Sequence, residues 1–291
     1  MAPPPVHTPL LQDLRCDPKG ITALGSFFAA VEKMESSKIQ VDCHLVSWID
    51  ANMAAALGAI VAALEAKKNV VTFVGLKKSI LDILSRNGFI TPQLPDKYGT
   101  VIPFNKFSLE SGKLFAKYIE ENLRGKGIPK MSPQLRMGFL QGLNEIFNNC
   151  SLHSQSKLGV FCCGQAYPKT NCVDFSVVDL GIGFRTNVNR HLSSQMSASE
   201  AIDWAMTDEN TTRKGDVPGG LGLKILREFV ALNKGSLTIS SDGGFWRLSD
   251  EGIVRQELPT RFTGSVVNLR INTADKSSYR LKSEVDPNSV L

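Results

Sequence analysis

Residues 173–183 read Val-Asp-Phe-Ser-Val-Val-Asp-Leu-Gly-Ile-Gly, an apolar run that ends in Asp179 and is followed by Gly181 and Gly183. The run predicts a buried strand, and the glycines predict where it stops. A carboxylate at that point can accept a hydrogen bond from an exocyclic amine, and two glycines let a flat ring approach the backbone. The same residues also describe a plain turn, so the reading depends on the rest of the chain. Upstream, residues 144–153 read Asn-Glu-Ile-Phe-Asn-Asn-Cys-Ser-Leu-His. On a helix Glu145, Asn149 and His153 step round by about 40° each and form one polar stripe. An amide oxygen can bind a hard cation while a carboxylate one turn away polarises a water or hydroxyl. Taken alone, the stripe is equally a solvated helix face. Downstream, Gly219-Gly220-Leu221-Gly222-Leu223 opens a helical run to Val230. Free amides at the positive end of a helix dipole suit phosphate, although a flexible turn reads the same way. Gly264 and Ser265 begin the last strand, where Ser265 can support Asp179.

The fold class read from the pattern is α/β. Strand-like runs at 39–46, 69–74 and about 100–104 alternate with an Ala-rich helix, capped by Asp50 or Asn52 and ending near residue 67, and a short helix at 79–86. That alternation implies crossover connections and a small sheet with helices on it. A helix at 109–123, a Gly/Pro linker and a long helix from Ser132 to about His153 follow, then strands near 158–163, 173–179, 236–240 and 264–271. The expected division is a flexible leader 1–19, an α/β domain 20–108, a connecting helix and linker 109–131, a second α/β domain 132–273 and a flexible tail 274–291.

The chain has 291 residues, 42% hydrophobic and 21% charged, which is a globular composition with room for about two domains. A net charge of +5, dispersed along the chain, does not argue for nucleic acid or a membrane surface. The longest apolar run, 51–64, is too short to span a bilayer, and the start lacks a signal-peptide pattern. Six cysteines without a Cys-x-x-Cys pair read as reduced thiols of a cytoplasmic protein. A P-loop and a dinucleotide-binding Gly-x-Gly-x-x-Gly are both missing. His7, His44 and His191 have no partners at metal or triad spacing.

In order and spacing, the patches around Glu145, Asp179, Gly220 and Ser265 resemble the Bergerat-fold ATP site of the GHKL superfamily, over about 132–272. The family's helix motif is Glu-x-x-x-Asn, which Glu145 and Asn149 match and Asn148 does not. The resemblance implies a sandwich of a mixed sheet covered by helices, with ATP and Mg²⁺ as cofactors. It implies Glu145 as general base or water-orienting residue and Asn149 as the Mg²⁺ ligand. Asp179 would recognise the adenine amino group, Gly181 and Gly183 would shape that pocket, and Gly220, Leu221 and Gly222 would border the phosphates. Ser265 stands where the family commonly has Thr. His153 stands where the anti-sigma-factor kinase branch often has a His, so it joins the nucleotide-binding set and the chain looks closest to that branch. Residues 184–218 would form a lid with a short helix at 198–206, in which Thr211, Thr212, Arg213 and Lys214 meet the terminal phosphate.

Residues 46–53, Val-Ser-Trp-Ile-Asp-Ala-Asn-Met, resemble the STAS fold of anti-sigma-factor antagonists together with the Ala-rich helix and residues 70–75, over about 20–107. Ala51 stands where such proteins often carry a phosphorylatable Ser. That implies a docking or dimerisation module rather than a kinase substrate, unless Ser47 substitutes. The expected function is a cytoplasmic Mg-ATP-binding regulator. It hydrolyses ATP or phosphorylates a Ser or Thr of a protein partner as the lid closes, with a homodimer among its assemblies. The alternative is a non-catalytic, nucleotide-gated switch.

Overall fold

In the computed structural model, residues 4–207, 210 and 221–285 are described. The first part of the chain runs β1 (Val6–Pro9), α1 (Pro18–Val31), β2 (Lys38–Asp42), a 3-10 turn (Ala51–Met53), α2 (Ala54–Ala66), β3 (Val70–Val74) and α3 (Lys78–Arg86). The strands form a parallel sheet in the order β1-β2-β3, so each connection has to cross over, and α1 and α2 do so. Asp17 starts α1 by accepting the Gly20 N–H at 2.8 Å, with Pro18 in the first turn. Residues 6–14, expected to be a flexible leader, are instead built in: β1 pairs with β2, and Leu10 and Leu14 are buried. An edge strand of four residues with a single inward side chain, Thr8, has too little alternation to be read from sequence.

The second part runs β4 (Val101–Phe107), α4 (Gly112–Leu123), β5 (Lys130–Met131), α5 (Pro133–His153), β6 (Val160–Tyr167), β7 (Cys172–Asp179), α6 (Gly183–Leu192), α7 (Ala198–Met206), α8 (Leu221–Leu232), β8 (Ser236–Ser241), β9 (Gly244–Ser249), β10 (Gly252–Glu257), β11 (Ser265–Asn272), β12 (Ser278–Tyr279) and α9 (Lys282–Val285). Seven of these strands make one sheet, ordered β10-β9-β8-β11-β7-β6-β4, with every pair antiparallel. The fold is therefore an α/β sandwich whose small sheet is parallel and whose large sheet is antiparallel.

Strand β4 was expected in the first sheet but forms the edge of the large one. Its register shifts between Ile102 and Asn105, beside Pro103, which has no N–H for a ladder. The shift lets Ile102 and Phe107 enter one core while Phe104 packs against the other. The central strands are buried on both faces. Val160, Cys162, Phe175 and Val177 point to the layer of α4, α5 and α8, whereas Phe161, Cys163, Val178 and Val266 point to the layer of α1 and α2. The first unit thus lies on the face of the large sheet opposite α5.

Polar contacts lock that junction. Asn52 does not cap α2; it is fully buried and donates to Ser176 Oγ and Asn268 Oδ1, both at 2.9 Å. Asp50 does not cap either, because its oxygens accept the Cys16 N–H at 3.0 Å and the Trp48 ring N–H at 2.7 Å. The tail is not free up to residue 285. β12 pairs with β5, and the Tyr279 ring packs edge-on against Phe229 at 5.3 Å. Among the described residues, no helix is long and apolar enough to cross a membrane.

Candidate functional site

Helix α5 is the spine of the site. Ser132 caps it by accepting the Leu135 N–H at 3.1 Å, and Pro133 occupies its first turn. At its far end the Ser154 carbonyl accepts the Ile182 N–H at 2.7 Å. A side chain at Gly181 would come within 2.0 Å of that carbonyl oxygen, so the turn after β7 can lie against α5 only with glycine there.

The strand register sets Asp179 directly opposite Ser265. Asp179, only 2% exposed, accepts the Ser265 hydroxyl on Oδ2 and the Gly181 N–H on Oδ1 at 2.8 Å. Burial pushes its carboxyl above the usual carboxylate range, against hydrogen bonds from Ser265, Gly181 and the Cys150 thiol that pull it down. Gly183 starts α6 at a φ of 73°, and Phe184 donates its N–H to Ser241 Oγ at 3.0 Å.

Near the middle of the spine, Glu145 is buried and turned toward α8. Its oxygens accept the N–H groups of Gly222 at 3.3 Å and Leu223 at 3.0 Å. The approach is tight: a side chain at Gly142 would meet the Gly222 carbonyl oxygen at 2.4 Å. From Glu145 to Ser154 the helix spans about 14 Å, and the Asp179 turn and the start of α8 sit at the two ends of that span.

Asn149 is half-buried on the intervening turn of α5, and His153 is the helix's last residue. Leu221 is exposed and Gly222 buried at the head of α8. Thr212, Arg213 and Gly220, with Thr211 and Lys214, lie outside the described residues. Of the expected lid, α6 and α7 are docked rather than loose. Ile202 and Met206 of α7 are in the core of the large sheet, and Asp203 accepts the Trp246 ring N–H at 2.9 Å. A capping box at Ser197 and Glu200 holds α7's first turn.

Sequence reasoning passed over three participants. Cys150, which no motif pointed to, is buried on α5 near Asp179, and burial together with that charge pushes the thiol up. Ser154 contributes only its backbone, which leaves no compositional trace. Gly142 did leave one, because Gly138 and Gly142 stand one turn apart on α5 where α8 packs.

No family model and no curated protein matches the chain. Among solved structures, it is similar to the topoisomerase IV ATP-binding domain of Francisella tularensis, in complex with a small-molecule inhibitor, at 15% identity and a TM-score of 0.27. The match covers 62% of this chain and 46% of the other. A likeness at that score says nothing about site or activity.

Proposed function

We propose that this chain is a cytoplasmic regulator of the GHKL superfamily that binds Mg-ATP between α5, the Asp179 turn and the head of α8. What supports this reading is the meeting of sequence-distant patches on one helix. Asp179 is joined to Ser265 and Gly181 at the C-terminal end of α5, and Glu145 is joined to Gly222 and Leu223 near its middle.

The donor set suits the ligand. Asp179 offers a buried carboxylate to an exocyclic amine, and Ser265 and the Gly181 N–H hold its orientation. Asn149 offers one amide oxygen to a hard cation whose other ligands would be phosphate and water. Bound Mg²⁺ supplies charge neutralisation along the phosphates. The Gly222 amide, with Leu221 at the head of α8, borders those phosphates. Glu145 orients or deprotonates a water, giving hydrolysis, or a partner's hydroxyl, giving transfer. The first unit serves as the docking or self-association module.

One observation favours the non-catalytic switch as a second reading. Glu145 is committed to the α8 amides, so a base role requires it to leave them.

Calorimetric titration of the full chain tests the proposal. ATP binds, GTP binds far more weakly, and Asn149→Ala abolishes the Mg²⁺ dependence. Absence of binding by any adenine nucleotide at millimolar concentration overturns it. Incubation with γ-labelled ATP separates the two readings: released phosphate or a labelled partner means catalysis, and neither means switching.

A further inference from the structure

In this structure the seat assigned to phosphate is already taken by a carboxylate. Helix α8 has no acidic residue in its own first turn. The negative charge that complements its N-terminus comes from Glu145 on α5, through two N–H groups of consecutive residues. Gly142 and Gly222 bring the two backbones so close that only hydrogen fits between them, and both amides already donate to the carboxylate. Glu145 is also buried, only 8% exposed.

We propose that Glu145 is an internal competitor for the phosphate seat. In the empty protein it caps α8, and a polyphosphate gains the Gly222 and Leu223 amides only as the Glu145 carboxylate leaves them. This rests on the nucleotide reading and adds a regulation to it. The group that would orient water stays sequestered until phosphate arrives, so an empty or phosphate-free site cannot present it. Adenosine, which brings no anion to the head of α8, leaves the cap in place. The contrast between adenosine and ATP therefore reads the competition directly.

The experiment measures binding of adenosine, ATP and inorganic tripolyphosphate to the full chain without Mg²⁺ and with EDTA, so that metal ligation plays no part. Glu145→Gln keeps shape and one acceptor but removes the charge. Glu145→Ala removes the acceptor altogether and guards against a Gln that still caps. Both variants bind ATP and tripolyphosphate about tenfold more tightly than the wild type, with adenosine affinity unchanged. Amide hydrogen exchange at Gly222 and Leu223 is faster in Glu145→Ala than in the wild type, and in the wild type these amides change protection with ATP but not with adenosine. If ATP binds and neither variant tightens it, the competitor is overturned while the nucleotide reading stands. If adenine nucleotides fail to bind but tripolyphosphate binds the variants more tightly, the competitor stands and the adenine reading falls. If no probe binds any form, both are overturned.

Discussion

Replacing Asp179 by Asn separates a residue kept for binding from one kept for folding, because the two roles predict opposite signs. Asp179 is 2% exposed, and burial raises its carboxyl above the usual range despite three hydrogen bonds. A carboxyl raised on folding holds more protons folded than unfolded. Stability therefore falls as pH rises from the ordinary carboxylate range through the raised value. Asn keeps the shape and removes the charge. Its oxygen can take the Gly181 N–H, and its amide can donate to Ser265 Oγ once that hydroxyl rotates. Asp179→Asn should thus stabilise the fold at pH 7 by about 1 kcal/mol, a rise in Tm of about 2–4 °C. The gain should shrink toward about pH 4, in the ordinary carboxylate range. Binding moves the other way. An amide donor facing an exocyclic amine loses a charged hydrogen bond and leaves a donor unpaired, about 2–3 kcal/mol, or about 30- to 150-fold in ATP affinity. Thermal melts at the two pH values and calorimetry with ATP measure both. A destabilised variant with unchanged ATP affinity would refute the reasoning, since the carboxylate would then be structural.

Gly142→Ala places a methyl against the Gly222 backbone. The overpacking of about 1–3 kcal/mol outweighs the gain of about 1 kcal/mol in helix propensity, so urea midpoints should fall. Gly138→Ala meets mainly the end of the Ile225 side chain and should be near neutral. Asn52→Ala strips two hydrogen bonds from the buried junction with Ser176 and Asn268 and should lower stability by about 2–3 kcal/mol in equilibrium unfolding. Tyr279→Ala removes the contact with Phe229 and the hydroxyl donated to Asp275. It should cost about 1–2 kcal/mol, with faster amide exchange in β5 and β12.

The chemistry-bearing positions were legible because they sit on long, strongly patterned elements. The capped helix α5 and the apolar run of β7 fall within a residue or two of where Ser132-Pro133 and the glycines after Asp179 put them. The sheet edges were not legible. β9 and β10 form a hairpin in which β10 is exposed along its whole length, so it has no alternation to detect. β4 changes faces at Pro103, which breaks the period that would have assigned it to a sheet. Asp50 and Asn52 looked like caps because their type favours caps, but burial at the junction gave both side chains long-range partners instead. The orientation of Glu145 could not be read at all. A helical stripe fixes which residues share a face, and only the packing of α8 decides what that face meets.

The same two-faced burial argues against treating the second part of the chain as a free-standing domain. A fragment spanning 99–291 keeps the whole seven-stranded sheet, since β4 begins at Val101. Yet it uncovers Phe161, Val178, Phe262 and Val266, which the first unit buries. At about 1.5–3 kcal/mol for each such side chain, the loss is comparable to the 5–15 kcal/mol that holds an ordinary domain together. The fragment should therefore aggregate or elute as a heterogeneous species in size-exclusion chromatography, without a cooperative melt. Val178 and Val266 each adjoin a member of the Asp179–Ser265 pair in sequence, so the first unit's core reaches to within one residue of the candidate site. A monomeric fragment that melts cooperatively and binds ATP as the full chain does would show that the first unit is an appendage rather than a layer of the fold.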